Sequence, residues 1–322
     1  MKTYIQGLNE ALDEALSEDK NVFLFGEDIA VYGGCFGVTR GLLDKHGQKR
    51  VVDSPMSEST ITGLGVGSAV AGLRPVVEIM FMDFCTLIYD QLFNHGSIFA
   101  YMTNGEIKVP LVIRVPAGAG RGYGATHSKT LIAPLMNIPG IKIVAPYRAS
   151  EVKALLKESI KDDNIVVFVE HKLLYTSKED CEEAKSVPLG KAAILREGSD
   201  ITIVSFSKML QDCMAAAQKL EAEGISAEVI DLRTIKPLDM DTITKSVEKT
   251  KKLLVVEEGF GMCGVGAEIT ARVVESSFYS LEAPIARLAG ADVPISCASS
   301  LEKASIPNPD SIAEQARRTV NG

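Results

Sequence analysis

Residues 59–80, STITGLGVGSAVAGLRPVVEIM, contain a helical pattern followed directly by a short apolar strand pattern. The helix is expected over Ser59–Ala71 and the strand over Val76–Met80. The same alternation of helices with short strands rich in Val and Ile runs through the first half of the chain. It predicts a doubly wound α/β domain whose mostly parallel sheet is covered on both faces. The other strands expected there are Val22–Phe25, Leu111–Val115, Ile141–Val144 and Ile165–Glu170, and the other helices are Gln6–Leu16, Phe84–Met102 and Ser150–Lys161.

A second alternating set begins after a charged, loop-like segment at Ser177–Lys185. It predicts a second doubly wound α/β domain, with domain limits of 1–185 and 186–322. The strands expected in it are Ile201–Ser205, Ala227–Asp231, Leu253–Glu257 and Pro284–Leu288, and the helices are Lys208–Glu223, Met240–Lys249, Val265–Ser276 and Asp310–Thr319.

The composition argues against a nucleic-acid-binding protein and against a membrane-spanning one. The chain has 322 residues and a net charge of −8. Charges of both signs are interspersed without a basic stripe, which argues against nucleic-acid binding. The apolar runs are too short to span a membrane and the N-terminus has no signal or transit character, so a cytoplasmic protein is expected. Without CxxC spacing, reduced core thiols are favoured over zinc ligands or disulfides for Cys35, Cys85, Cys181, Cys213, Cys263 and Cys297.

The segment GFGMCG, with Gly259, Gly261 and Gly264, has the GxGxxG spacing of a dinucleotide-binding turn. Such a turn is expected to be followed, about 20 residues on, by an acid at the end of the next strand. Glu282 instead precedes that strand. Tight packing at a strand–helix junction is therefore favoured over nicotinamide binding.

The segment DSPMSEST places Glu58 at the start of the helix expected over Ser59–Ala71. Ser57 is a candidate N-cap, and an acid in the first turn is favoured by the helix dipole, which would explain Glu58 structurally. The helix beyond it carries only small and apolar side chains. An acid at the mouth of such a buried helix is partly desolvated, which is what a carboxyl group sharing a proton with a heterocycle requires.

The loop PAGAGRGYGATHS has glycine at every second position from Gly118 to Gly124, followed by His127. It follows a predicted strand, and open α/β sheets bind ligands at the carboxyl ends of strands. Close approach of a ligand would justify so many glycines. For His127, a structural hydrogen bond and a functional role are both open.

Two further segments have structural and functional interpretations. Met80 and Phe84, at a strand end and a helix start, are expected to pack in the core or to support a flat heteroaromatic ring. Lys161, Asp162, Asp163 and Asn164 form a helix-end turn, for which solvated turn chemistry is favoured over a cation site.

Taken together, these segments resemble the beta subunits of the thiamine-diphosphate-dependent 2-oxo acid dehydrogenase decarboxylating component, of the pyruvate and acetoin dehydrogenase type within the transketolase-like family. The resemblance covers essentially the whole chain. It is carried by FGEDIAVYGGCFGVTRGL, DSPMSES, GVGSAVAGLRPVVEIMFMDF, DQLFNH, THS and IPGIKIVAP, and in the second domain by AEVIDLRTIKPLDMDTI and LLVVEEG.

The resemblance implies a thiamine-diphosphate pyrimidine-binding domain followed by a transketolase C-terminal-like domain. It implies that Glu58 hydrogen-bonds the aminopyrimidine ring nitrogen and so promotes activation of the thiazolium carbon. It places Phe84 against the pyrimidine ring with Met80 beside it, and His127 where the family handles the substrate or lipoyl arm. Glu27 falls in an acidic region linking paired cofactor sites.

The resemblance also implies an α2β2 heterotetramer that passes its acyl unit to a lipoyl acyltransferase. Thiamine enzymes usually hold Mg²⁺ and the diphosphate through a GDG sequence, which this chain lacks. The alpha subunit is therefore expected to supply those ligands. Some members hold a structural monovalent cation such as K⁺ at the turn that matches Ser159, Asp162 and Asn164.

The substrate is less sharply indicated. VEIMFMDF and FVEHKLLY resemble acetoin-type beta subunits more than pyruvate-type ones, and Leu87 is apolar where many pyruvate-type members are more polar. The resemblance therefore favours acetoin over pyruvate, with branched-chain 2-oxo acids behind. A catalytically silent assembly subunit is an alternative of another class. A one-chain thiamine enzyme would need a diphosphate-binding domain that this chain has no room for.

Overall fold

A computed structural model describes residues 2–180 and 182–322. The chain divides into two compact units: the first contains residues up to Ala117 together with Pro134–Leu189, and the second contains Gly118–Ala133 and Gly190–Gly322. The larger part of the second unit begins at Gly190, whereas the sequence places the domain boundary at residue 185. The glycine-rich loop, in contrast, groups with the second unit although it lies within the first half of the sequence.

Strands and helices alternate up to Leu189, as the sequence predicts. The strands are β1 (Lys2–Thr3), β2 (Val22–Gly26), β3 (Val51–Asp53), β4 (Arg74–Glu78), β5 (Val112–Ala117), β6 (Lys142–Val144), β7 (Val166–His171) and β8 (Lys178–Glu179). The helices are α1 (Tyr4–Glu18), α2 (Leu42–His46), α3 (Glu58–Val70), α4 (Cys85–Asp90), α5 (Phe99–Met102), α6 (Ile132–Met136) and α7 (Ala149–Lys161).

Six strands of the first unit lie side by side in the order β6–β7–β5–β4–β2–β3, and every neighbouring pair is parallel. Their carboxyl ends therefore meet at one edge of the sheet. The core on one face is formed by the apolar sides of α1 and α7 with Leu24, Val76 and Phe168. Gly7 lets these helices approach closely, because a Cβ there would lie 2.7 Å from Val152 Cγ1.

Two predictions for this unit need correction. The helix expected over Phe84–Met102 is broken into α4, a π-helical segment at Gln91–His95, a 3-10 turn and α5. The loop expected at Ser177–Lys185 contains the short strand β8, which pairs antiparallel with β1.

The second unit has a smaller sheet in the order β14–β13–β10–β11–β9, in which β9 is antiparallel to its neighbour and the other pairs are parallel. The strands of the second unit are β9 (Ala193–Arg196), β10 (Ile201–Ser205), β11 (Ala227–Asp231), β12 (Thr234–Lys236), β13 (Leu253–Phe260) and β14 (Ala286–Gly290), and β12 is not part of this sheet. Its helices are α8 (Met209–Ala222), α9 (Met240–Thr250), α10 (Val265–Ser277), α11 (Ser299–Ala304) and α12 (Pro309–Asn321).

The cysteines only partly match the expectation of core thiols. Cys85 and Cys213 are buried, and burial raises the pKa of each thiol to about 12. Cys35, Cys263 and Cys297 are exposed, so the core prediction is wrong for them. Cys181 lies outside the described residues.

Candidate active site

The carboxyl edge of the first sheet brings together two of the predicted acids. Glu27 follows β2 directly, and Glu58 begins α3 shortly after β3. Both side chains are half-buried. Gly65 holds α3 close to the sheet, since a Cβ there would lie 3.1 Å from Val77 Cγ1. The position of Glu58 at this edge is therefore set by packing of the small-residue helix.

The two carboxyl groups lie within electrostatic reach of each other. Burial raises the pKa of Glu27 above its ordinary value, and the charges of Asp28 and Glu58 raise it further. Glu27 therefore keeps its proton to a higher pH than an ordinary glutamate, and shifted carboxyl groups of this kind are common at functional sites.

Ser57 occupies the N-cap position of α3, but it does not cap the helix as expected. Its hydroxyl bonds Thr60 Oγ1 at 2.8 Å and makes no side-chain bond to a backbone N–H of the first turn. The predicted capping hydrogen bond of Ser57 is therefore absent, although the helix starts at Glu58 as the sequence predicts.

Met80 and Phe84 also lie at this edge, just beyond β4. Both are half-buried, and Phe84 closes a 3-10 turn. The Phe84 ring stands edge-on to Phe81, with centroids 6.1 Å apart, and Phe81 in turn contacts Phe36 at 5.7 Å. This aromatic support leaves part of Phe84 exposed, as a surface for a flat ring requires.

A buried charge network beneath this edge was not predicted from the sequence. Arg114 on β5 donates two hydrogen bonds to Glu170, at 2.7 and 2.8 Å, and a third to Glu78. The Tyr175 hydroxyl donates to Glu170 at 2.8 Å. Burial raises the pKa of Glu78, opposed by the Arg114 charge. The sequence did contain an indication of this network. One charged residue lies in each of three otherwise apolar strand segments, VVE, VIRV and VVFVE.

The glycine-rich loop belongs to the second unit and is held by two buried carboxylates. Glu302 accepts hydrogen bonds from the N–H groups of Gly120 at 2.8 Å and Gly122 at 3.2 Å. Glu258 accepts from the Ala119 N–H at 2.8 Å and the Thr130 hydroxyl at 3.2 Å. Protein carboxylates thus occupy these N–H groups, and close approach of a ligand to the loop stays a prediction.

His127 lies half-buried near the end of this loop. Its Nδ1 is 2.8 Å from Thr126 Oγ1, so a neighbouring hydroxyl helps to orient the ring. The fold therefore places Glu58, Glu27, Met80 and Phe84 in the first unit and His127 in the second.

The GxGxxG turn is closed to a nucleotide by the protein itself. The buried Glu257 carboxylate accepts hydrogen bonds from the N–H groups of Val265 at 3.1 Å and Gly266 at 2.8 Å, where a pyrophosphate would bind. A Cβ on Gly264 would lie 2.5 Å from Glu257 Oε1. Close packing thus explains the glycine at this position. The sequence likewise favours tight packing at the strand–helix junction over nicotinamide binding.

The turn after α7 is occupied by fixed positive charges. Lys142 pairs with the Asp162 carboxylate, and the Asn164 N–H and side-chain amide donate to the same carboxylate at 2.9 Å. Arg74 donates to the carbonyls of Ile160 and Asp162 at 2.9 and 3.1 Å. The Ser159 hydroxyl donates to a carbonyl of its own helix. These contacts fit the turn chemistry favoured from the sequence.

Comparison with known proteins agrees with both units. Residues 1–178 match the family model of the transketolase pyrimidine binding domain, and residues 190–312 match that of the transketolase C-terminal domain. Pyruvate dehydrogenase E1 component subunit beta-1, mitochondrial, of Arabidopsis thaliana is 48% identical over 98% of this chain and 88% of its own length. Pyruvate dehydrogenase E1 component subunit beta of Rickettsia felis is 44% identical over 98% of this chain and 97% of its own.

The chain belongs to the family of 2-oxo acid dehydrogenase E1 beta subunits. Among solved structures, a split-gene transketolase described as an inactive beta4 tetramer matches with a TM-score of 0.82 at 20% identity, covering 99% of this chain and 98% of that one. At that identity the match supports the fold alone.

The residues of this E1 beta subunit fit the pyrimidine half of thiamine diphosphate, the cofactor of the family. The sheet edge offers two acids, Glu58 and Glu27, of which Glu27 has a raised pKa, and the half-buried aromatic ring of Phe84. Within residues 2–180 and 182–322, no group of three or more His, Cys, Asp or Glu side chains could hold a metal ion. Over the same residues, no helix has the length and apolar character needed to cross a bilayer.

Proposed function

We propose that this chain is the beta subunit of a pyruvate dehydrogenase E1 component. The observation that carries the proposal is the acid pair Glu27 and Glu58 at the sheet edge of a chain whose relatives are named pyruvate dehydrogenase beta subunits. The preference for acetoin has no support among these relatives. Leu87, on which it partly rested, is 54% exposed on α4.

In this function Glu58 holds the proton that it shares with the cofactor's pyrimidine nitrogen. Glu27 lies within electrostatic reach of Glu58 and forms the second acid of this edge. Phe84 and Met80 orient the ring, and His127 acts on the substrate or the lipoyl arm. When bound, thiamine diphosphate supplies the nucleophilic carbon and the electron sink for decarboxylation.

An alpha subunit completes the site in this proposal. It supplies the Mg²⁺ and diphosphate ligands, since this chain has no GDG sequence, and it forms the α2β2 component that acylates a lipoyl acyltransferase. A K⁺ ion at the Ser159 turn stays a prediction, as does a cytoplasmic location. The name of the Arabidopsis relative specifies mitochondria, whereas that of the Rickettsia felis relative does not.

Replacing Glu58 tests the proposal in a complex reconstituted with an alpha subunit. Glu58→Gln keeps the shape of the side chain but cannot exchange a proton, so kcat with pyruvate should fall by about 100-fold or more. Glu268→Gln is the matched control, because Glu268 is an exposed first-turn acid of α10. If Glu58 only interacted favourably with the helix dipole, the two substitutions would change kcat equally little.

The same assay decides the substrate. Pyruvate, acetoin and a branched-chain 2-oxo acid are compared by kcat/KM with an artificial electron acceptor. A higher kcat/KM for acetoin or the branched-chain acid would overturn the substrate assignment. Near-normal turnover of Glu58→Gln would overturn the role of Glu58.

A further inference from the structure

The glycine-rich loop has the geometry of an anion-binding nest. Gly118, Gly120, Gly122 and Gly124 have φ values of +94°, +98°, +69° and +72°. Left-handed residues alternating with ordinary ones turn successive backbone N–H groups toward one point, which makes a concavity for a negative charge. In this protein that charge is the carboxylate of Glu302.

Glu302 is well suited to this task because it is itself fixed. It lies on α11 and is 3% exposed. The hydroxyl of Ser305 donates to the Glu302 carbonyl at 2.8 Å. The carbonyl of Ser305 accepts the N–H of Ala291, which follows β14, also at 2.8 Å. A chain of contacts thus runs from the sheet of the second unit through α11 to the loop.

The loop also packs against the backbone that precedes α11. A Cβ on Gly122 would lie 3.5 Å from the carbonyl oxygen of Cys297, and one on Gly124 would lie 3.5 Å from Cys297 Cβ. The base of the loop is closed by a hydrogen bond of 3.3 Å from the Gly118 N–H to the Lys129 carbonyl. His127 therefore lies on a short segment held at its base and at its glycines.

We infer that Glu302 is a positioning residue for His127. Its carboxylate fills the nest of the glycine-rich loop and holds the segment that carries His127 in one conformation. The loop amides are then an internal anchor, and no substrate anion binds there. The inference about catalysis rests on the proposed function of His127, whereas the anchoring itself does not.

Trypsin provides a test that is independent of activity. Arg121 is exposed and lies between the two glycines that Glu302 binds. Cleavage after Arg121 requires local opening of the loop, so its rate reports the strength of the anchor. In the full chain reconstituted with an alpha subunit, Glu302→Ala should increase this rate by about tenfold or more. Glu302→Gln, which keeps one acceptor oxygen, should give a smaller increase.

Glu257→Ala is the matched control. Glu257 is also buried and also accepts two backbone N–H hydrogen bonds in the same unit, but from α10. General destabilisation would affect both variants, whereas loss of the loop anchor affects only Glu302→Ala. Equal cleavage after Arg121 in Glu302→Ala and Glu257→Ala at matched thermal stability would overturn the anchor.

A double-mutant cycle tests the link to His127. If Glu302 acts through His127, then Glu302→Ala should lower kcat, and the Glu302→Ala, His127→Ala double variant should be no slower than His127→Ala alone. Additive losses would show that Glu302 does not act through His127. Should the protein turn over none of the tested substrates, the cleavage rates would still decide whether Glu302 anchors the loop.

Discussion

Glu58 is close enough to Glu27 for its charge to help raise the pKa of Glu27, although 31 positions separate them in the chain. Their pairing has a measurable consequence for stability. Between the pKa of Glu27 in the unfolded chain and its raised pKa in the fold, the folded state binds more protons than the unfolded state. Stability therefore falls as pH rises through that window.

The variant Glu27→Gln should remove this loss. It should raise the melting temperature at pH 7, and the gain should shrink as the pH is lowered toward 4. Thermal melting from pH 4 to 8 provides the measurement. A variant that is less stable than the wild type at every pH would contradict the raised pKa of Glu27.

Glu14 on α1 is the control of opposite sign. Burial alone would raise the pKa of Glu14, but the ammonium groups of Lys153 and Lys157, at 2.6 and 2.7 Å, outweigh it and lower the pKa. Its carboxylate stabilises the fold above its unfolded pKa, and that stability is lost as pH falls through the lowered folded pKa. Glu14→Gln should therefore destabilise at pH 7 and have less effect near pH 3.

At the scale of elements, glycine serves two purposes that a glycine count alone does not separate. Gly264, at the start of α10, has a carboxylate where a side chain would lie. Gly67, in α3, has no atom within 4 Å of an added Cβ. One glycine is required by close packing, whereas the other only adds flexibility to the unfolded chain.

Alanine at these two positions should have opposite effects. Gly264→Ala should destabilise by about 1–3 kcal/mol, because the added methyl displaces the Glu257 carboxylate from the helix start. Gly67→Ala should stabilise by about 0.5–1 kcal/mol, as expected at a helical glycine with open space. Urea denaturation of the full chain measures both. A stabilising Gly264→Ala would contradict the close contact with Glu257.

Helices and strands were predictable wherever their periodicity was local and regular. β10 and β11 are found as predicted, at Ile201–Ser205 and Ala227–Asp231. The segment Phe84–Met102 was not, because its apolar pattern is helical throughout while the chain passes through π and 3-10 geometry. Gly96 lies there with a Cβ position only 2.5 Å from Ile165 Cδ1, a contact that no local pattern indicates.

At the scale of the whole molecule, the chain contains the residues proposed to contact the pyrimidine ring. It lacks the GDG sequence with which thiamine enzymes usually bind Mg²⁺ and the diphosphate. We therefore expect the isolated chain to bind thiamine diphosphate weakly, even with Mg²⁺ present. Addition of an alpha subunit should lower the Kd by at least about 100-fold, because magnesium sites on phosphates need carboxylates that the described part of this chain does not group together. Calorimetric titration of the chain alone and of the pair measures this. Tight Mg²⁺-dependent binding by the isolated chain would contradict the division of the site.

The sequence by itself determined the two α/β units, the family, and the candidate residues Glu58, Phe84 and His127, because periodicity and motifs are properties of neighbouring residues. Tertiary structure alone decided which buried charges meet. Glu170 reaches Arg114 across 56 positions, and Glu302 reaches Gly120 across 182. Such pairs depend on strand register and on the packing of distant elements, so a buried carboxylate in one segment gives no local sign of the amide or guanidinium that it binds.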